Sequence, residues 1–227
     1  MNRYDFTIRS KQDMIDAVEA FGFLPFFTGS IPGFSIEEHA VPDVWYTAGD
    51  EWKVWDWKGP VIRESGCAYG KFFEGKAVFI SREWFPDFAN WRRDGYDFDA
   101  RFDDGLASIR DKELFELLDA HAPVLSKRLK LEGNYRKGGK KGFETSITRL
   151  QAQGYVLISD FVYAADKCGR PYGWGIAEYS TPERFFGEDF CSRVYQRSPE
   201  ASYARLFEHL RTLFPDTEDA VLQKILK

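Results

Sequence analysis

The chain has 227 residues, 44% hydrophobic and 17% aromatic, with a formal net charge of −5, so it holds enough apolar material for one large domain or two small ones. No apolar run approaches the roughly 20 residues of a membrane span, and the N-terminal MNRYDFTIRSKQD has no apolar stretch of signal-peptide length; no membrane association is expected, and a cytoplasmic location is. Cys67, Cys168 and Cys191 are odd in number and far apart, and His39, His121 and His209 match no zinc-ligand spacing, so neither a disulfide scaffold nor a metal or other cofactor is expected.

Ser10 and Asp13 form a capping pair for a first helix reaching about Ala20, with Met14, Ile15, Val18 and Phe21 on one face and Gly22 as its stop. The run FLPFF predicts a short buried edge strand or connection, because Pro25 removes a backbone donor. Gly29 to Gly49 reads mainly as loop, with a single turn of helix at Ser35 to His39. Trp52 and Trp55 suit one helical face until Gly59-Pro60 interrupts it. YGKFF and AVFIS flank the turn EGK as a hairpin, and Ser81 is placed to cap a helix carrying Trp84, Phe88 and Trp91. These aromatics read first as core, with a pocket for a base or small ligand as the functional alternative. Asp94 to Asp104, DGYDFDARFDD, lacks the central Gly and final Glu of a calcium loop and reads as a solvated acidic loop.

A helix from Asp111, with Leu114, Leu117 and Leu118 as its stripe, ends before Pro123, which is expected to open the next helix, PVLSKRLKLEG. The loop NYRKGGKKG, a second helix FETSITRLQAQG, and the strands YVLISDFVY and YGWGIAEYS follow. From Pro123 to Ser180 this order is that of a winged helix-turn-helix. Ser126 to Arg149 carries eight cationic residues against Glu132 and Glu144, a net +6, leaving −11 for the remainder of the chain. Such a patch points to an anionic partner. Phe143, Ile147 and Leu150 recur at four and three, making one helix face core and turning Thr145, Thr148, Arg149 and, at the start, Lys141 outward. With Lys137 and Lys140 in the loop and Lys167 and Arg170 at the hairpin tip, these are the candidate contacts to double-stranded DNA. Beyond, Thr181-Pro182-Glu183 and Ser198-Pro199-Glu200 are two helix start signals, and TEDAVLQKILK is a final amphipathic segment. No internal sequence repeat is visible.

The block KGGKKGFETSITRLQAQGYVLISDF, the hairpin and STPERFFG after it, and the upstream FFEGKAVFISREWFPDFANWRR together resemble the AlkZ/YcaQ-type DNA glycosylases, with matching pieces over roughly residues 10 to 187. The resemblance implies an α+β fold of two tandem winged-helix units with a helical C-terminal tail. The expected division is 1–110, aromatic-rich and winged-helix-like; 111–187, winged helix-turn-helix; and 188–227, helical tail. It also implies a DNA-binding or DNA-repair role. That family's catalytic signature is a Gln-apolar-Gln or Gln-apolar-Asp triplet that positions water; its place here is Gly22 to Phe26, which holds neither amide nor carboxylate. Gln151-Ala152-Gln153 spells a similar triplet but reads as helix surface near a C-cap. The expectation is therefore a DNA-binding relative without glycosylase activity and with no assigned catalytic residue. A divergent glycosylase or hydrolase using Asp97, Asp99, Asp103 or Glu74 is the alternative, and a protein-interaction module showing exposed tryptophans is a second.

Overall fold

In the computed structural model, which describes residues 6–46 and 51–227, helix α1 (Lys11–Phe21) begins at the expected capping pair. The Ser10 hydroxyl accepts from Asp13 N at 3.2 Å, and the Asp13 carboxylate accepts from Ser10 N at 2.9 Å. Strand β1 (Phe23–Pro25) follows, then the single turns α2 (Ile36–His39) and α3 (Pro42–Trp45), helix α4 (Val54–Ser65), and strands β2 (Ala68–Phe73) and β3 (Lys76–Ile80). Their antiparallel sheet has the order β1-β3-β2, which leaves Pro25 on an edge as expected. Glu74 and Gly75 turn the β2–β3 hairpin with φ of 49° and 70°, a type I′ arrangement that a glycine at the second position eases.

Helix α4 runs straight through Gly59-Pro60, where an interruption was expected. Pro60 forgoes one intrahelical bond, but Gly59, Pro60, Val61 and Ile62 are all buried, and that packing outweighs the local penalty. Helix α5 (Phe85–Arg93) starts later than expected, because the Ser81 carbonyl, rather than its side chain, receives Trp84 N and Phe85 N, both at 3.1 Å. The acidic segment expected as loop contains helix α6 (Phe98–Asp103), whose N-cap Asp97 accepts from Ala100 N at 2.8 Å; Phe98 anchors it by stacking on Phe115 at 4.2 Å.

The element order then repeats. Helix α7 (Ile109–His121) is capped by Ser108, and β4 (Val124–Leu125), α8 (Ser126–Glu132), α9 (Phe143–Ala152), β5 (Leu157–Ala165) and β6 (Pro171–Ser180) follow. The sheet order β4-β6-β5 matches that of the first half. The helix expected to open at Pro123 opens at Ser126, since Val124 and Leu125 pair with Tyr179 and Glu178. Both halves contribute to a contiguous hydrophobic core.

Reciprocal contacts join them. Helix α4 meets β5: Arg63 pairs with Asp160, the Tyr163 hydroxyl donates to Asp56 at 2.9 Å, and a Cβ on Gly59 would lie 2.5 Å from the Asp160 carboxylate. Helix α9 meets β2: Gln151 accepts from Lys71 N at 3.1 Å, and Lys71 Nζ lies 3.4 Å from Thr148 Oγ1. Tyr69 and Phe161 close the seam, ring to ring at 5.7 Å.

The C-terminal region, α10 (Pro182–Phe186), α11 (Glu188–Cys191), a 3-10 turn at Ser192–Tyr195, α12 (Pro199–Leu213) and α13 (Asp219–Leu226), folds back on α5. Buried Asp87 accepts from Ser202 Oγ and Arg205 Nε, each at 2.9 Å, while Asn90 donates to Ser202 Oγ at 2.9 Å. Replacing Asp87 with Ala should lower the unfolding free energy in urea by about 2 kcal/mol, since charge-assisted bonds are lost and Ser202 stays buried. An unchanged urea midpoint would show that this network carries no stability.

Candidate nucleic-acid interface

The loop before α9 is closed by its own backbone: Lys140 N donates to Asn134 O at 2.7 Å and Gly139 N to Arg136 O at 2.8 Å. Tyr135 packs against Phe143 with ring centroids 5.3 Å apart, which holds the loop to the helix start. Arg136, Lys137 and Lys141 are exposed in consequence. Of the eight candidate contacts, Lys137, Lys141, Thr145 and Lys167 are exposed without an ion-pair or hydrogen-bonding partner among the described residues. Lys140 pairs with Glu113 at 2.6 Å, and that hydrogen bond raises the Lys140 pKa. Arg149 pairs at 2.6 Å with Asp111, whose side chain is almost fully buried. Arg170 is tied to Asp166 at 3.0 Å; the Arg170 backbone N–H, ahead of other hydrogen bonds, holds that carboxyl below its usual range. Thr148 is half-buried against Lys71.

The loop and the hairpin tip are therefore two separate sets of cations. The loop set borders a groove of about 280 Å³ that also takes in Ile109, Arg110 and Tyr135. Sequence reasoning missed Ile109 and Arg110 because they lie outside the helix and its charge run, and Tyr135, inside that run, because it carries no charge.

Helix α9 buries Phe143, Ile147 and Leu150 as expected, but it also buries Ser146 and Gln151. The reading of Gln151 as helix surface is corrected: its side chain is fully buried, with Nε2 donating to Ile147 O at 3.0 Å and Oε1 receiving Lys71 N. Long-range packing on β2, invisible to helical periodicity, takes this second face. Gly22 to Phe26 is the C-cap of α1 and the buried strand β1, so no polar side chain stands there.

The four carboxylates of the enzymatic alternative do not form one cluster. Asp97 and Asp99 line a cleft of about 620 Å³ with Asp119, Glu183, Glu188 and the buried Arg93, over an aromatic wall that includes Phe115 and Tyr155. Glu74 lies apart on the β2–β3 turn, paired with Lys224 at 3.2 Å. Among the described residues, no group of three or more His, Cys, Asp or Glu is arranged to hold a metal ion, and no helix is long and apolar enough to cross a membrane.

A second feature lies where α4 meets the β5–β6 hairpin. Trp174 on β6 is 80% exposed and stands edge-on to Trp55 at 6.0 Å. Lys58 Nζ lies 4.5 Å from the ring centroid of the same Trp55, 4.7 Å from Phe161 and 5.2 Å from Phe26. Lys58 has no carboxylate within ion-pair distance and no hydrogen-bond acceptor among the described residues. Burial pushes its pKa down to about 8, with Asp56 opposing.

A family model described as AlkZ related matches residues 8–227. The chain belongs to the AlkZ-related family. Membership relates it to DNA glycosylase-like proteins, and the matched span takes in both halves and the C-terminal helices. No curated protein and no solved structure matches it.

Lys58 yields a pH prediction for this AlkZ-related chain. Unfolded lysine keeps its proton to about 10.5, whereas folded Lys58 loses it near 8, so the native state binds fewer protons between those values and gains stability as pH rises through them. Lys58→Met should therefore raise stability at pH 7 by about 1–2 kcal/mol, a gain that shrinks above pH 8. Thermal unfolding across pH 7 to 10 measures it, and a gain that does not fall with pH would remove the buried charge as the cause.

Proposed function

We propose that this protein binds double-stranded DNA as a pair of winged-helix units, one in 1–110 and one in 111–187, with 188–227 as a helical tail. The observation that carries the reading is the exposed basic loop at the start of α9, on a chain otherwise strongly acidic. The repeated order of helix, strand, helices and hairpin, with sheet orders β1-β3-β2 and β4-β6-β5, supports the winged-helix assignment. Lys137 and Lys141 are free to meet phosphates at the α9 N-terminus, where backbone N–H groups also favour an anion. Lys140 and Arg149 would exchange Glu113 and Asp111 for DNA, and Lys167 and Arg170 at the hairpin tip would reach the backbone as a wing does. Thr145 stands in the first turn of α9, toward base edges, and Thr148 would contribute only from the margin of the β2 contact.

Catalysis of the glycosylase kind needs a group that positions water, and the segment that the resemblance puts in that role, Gly22 to Phe26, carries no amide or carboxylate side chain. The reading is thus a DNA-binding relative rather than an active glycosylase. The cleft holding Asp97 and Asp99 favours one competing reading, a divergent hydrolase; release of free base from alkylated DNA, abolished by Asp99→Asn, would establish it.

Lys137→Glu combined with Lys141→Glu should weaken duplex binding by about tenfold or more near 50 mM salt, and reduce the slope of log affinity against log salt by about 2. Fluorescence anisotropy with a labelled duplex measures both. An absence of duplex binding by the native protein at low salt would refute the proposal.

A further inference from the structure

Five aromatic side chains from separate segments form a continuous run of ring contacts, and Lys58 lies over one of them, Trp55. Trp174 contacts Trp55 at 6.0 Å, Trp55 contacts Phe27 at 5.7 Å and Trp45 at 6.1 Å, and Trp45 contacts Tyr46 at 6.3 Å. Trp174, Tyr46 and Phe27 are 80%, 67% and 38% exposed, an unusual outlay of apolar ring on a folded surface. Trp174 comes from the β6 hairpin strand of one half, and Trp45 on α3, Tyr46 after it, Trp55 on α4 and Phe27 in the β1–α2 connection come from the other, so Trp174 joins the surface only because the halves pack together.

We propose that this surface is a stacking platform for unpaired bases of single-stranded DNA, with Lys58 receiving the phosphodiester between them. The proposal rests on the nucleic-acid reading above but concerns a different site and a different form of DNA. The lysine decides the occupant. An apolar peptide or the apolar face of a second copy would cover an ammonium that has no acceptor among the described residues, at the cost of a desolvated charge. A phosphodiester brings the acceptor and the opposite charge to the same place. Duplex DNA supplies the phosphate but keeps its bases stacked on one another, leaving the rings unused; a single strand supplies both. Successive ring-to-ring steps of about 6 Å make a surface longer than one base, which favours an oligonucleotide over a free nucleotide.

Binding of a fluorescent oligodeoxythymidylate of about 15 nucleotides tests this in parallel with a duplex of mixed sequence. Trp174→Ala, at a site too exposed to matter for folding, should weaken single-strand binding by about five- to a hundredfold while leaving duplex affinity unchanged; Trp174→Phe should retain most of it. Lys58→Met, expected to fold more stably at pH 7, should weaken single-strand binding by about tenfold and lower its salt slope by about 0.7. A stabilised protein that binds worse is a combination that a merely structural lysine does not give. No binding of the oligonucleotide, or binding indifferent to both substitutions, would overturn the proposal. Self-association of the free protein that Trp174→Ala abolishes would assign the surface to a second copy and also overturn it. Single-strand binding that depends on Trp174 in a protein that ignores duplexes would uphold the platform and reject the duplex reading, so the two fail separately.

Discussion

The last turn of α5 is the constraint on which the rest of the structure hangs. Arg92 donates to Ala152 O at 2.9 Å, to Phe72 O at 3.1 Å and to Leu226 O at 3.2 Å, so one guanidinium holds the end of α9, strand β2 and the C-terminal helix. Arg93, fully buried, donates to Gly154 O and to the Tyr195 hydroxyl, both at 2.8 Å, and pairs with Glu183 at 3.2 Å. Burial opposes its charge, and Glu183 with Tyr195 more than offsets that. Carbonyls at element ends have no intrahelical partner, and two adjacent arginines gather them from three parts of the chain. The core alone is non-directional; these bonds give it one arrangement.

That arrangement determines which charges face outward. Because α9 lies on β2, its Thr148 and Gln151 side belongs to the protein, and the outward chemistry moves to the loop ahead of it and to Thr145. Because α4 lies under the β5–β6 hairpin, the aromatic residue Trp55 of the first half meets Trp174 of the second. The same seam thus removes part of one polar surface and creates an aromatic one.

Local signals in the sequence told truly where they depended on neighbours a few residues apart. Ser10 and Asp13, the EGK turn, and Ser198 before Pro199 stand as read, since caps and tight turns are decided within four positions. Family membership was legible from the block around α9, and the match extends over residues 8–227. What could not be read depends on partners far along the chain. Gly59-Pro60 continues a helix because β5 packs across it, and Val124-Leu125 is a strand because β6 waits 55 and 53 positions on, at the Val124–Tyr179 and Leu125–Glu178 pairs. Gln151 is buried because β2 arrives from 80 residues earlier. Asp97 turned from loop to cap through a hydrophobic anchor, Phe98, that charge counting had ignored.

The mutual bracing of helix and hairpin also limits what kind of recognition is open to the protein. Tools that close around a ligand need a joint, a short stretch whose torsions absorb the movement. Here each arm is pinned on the other's helix, by Arg63 with Asp160 on one side and Gln151 with Lys71 on the other, and a third segment is strapped across α5. Bending the assembly would break all of these at once. A nucleic acid bound as proposed would have to supply the flexibility itself, so selectivity would follow from how cheaply each sequence can be deformed to fit.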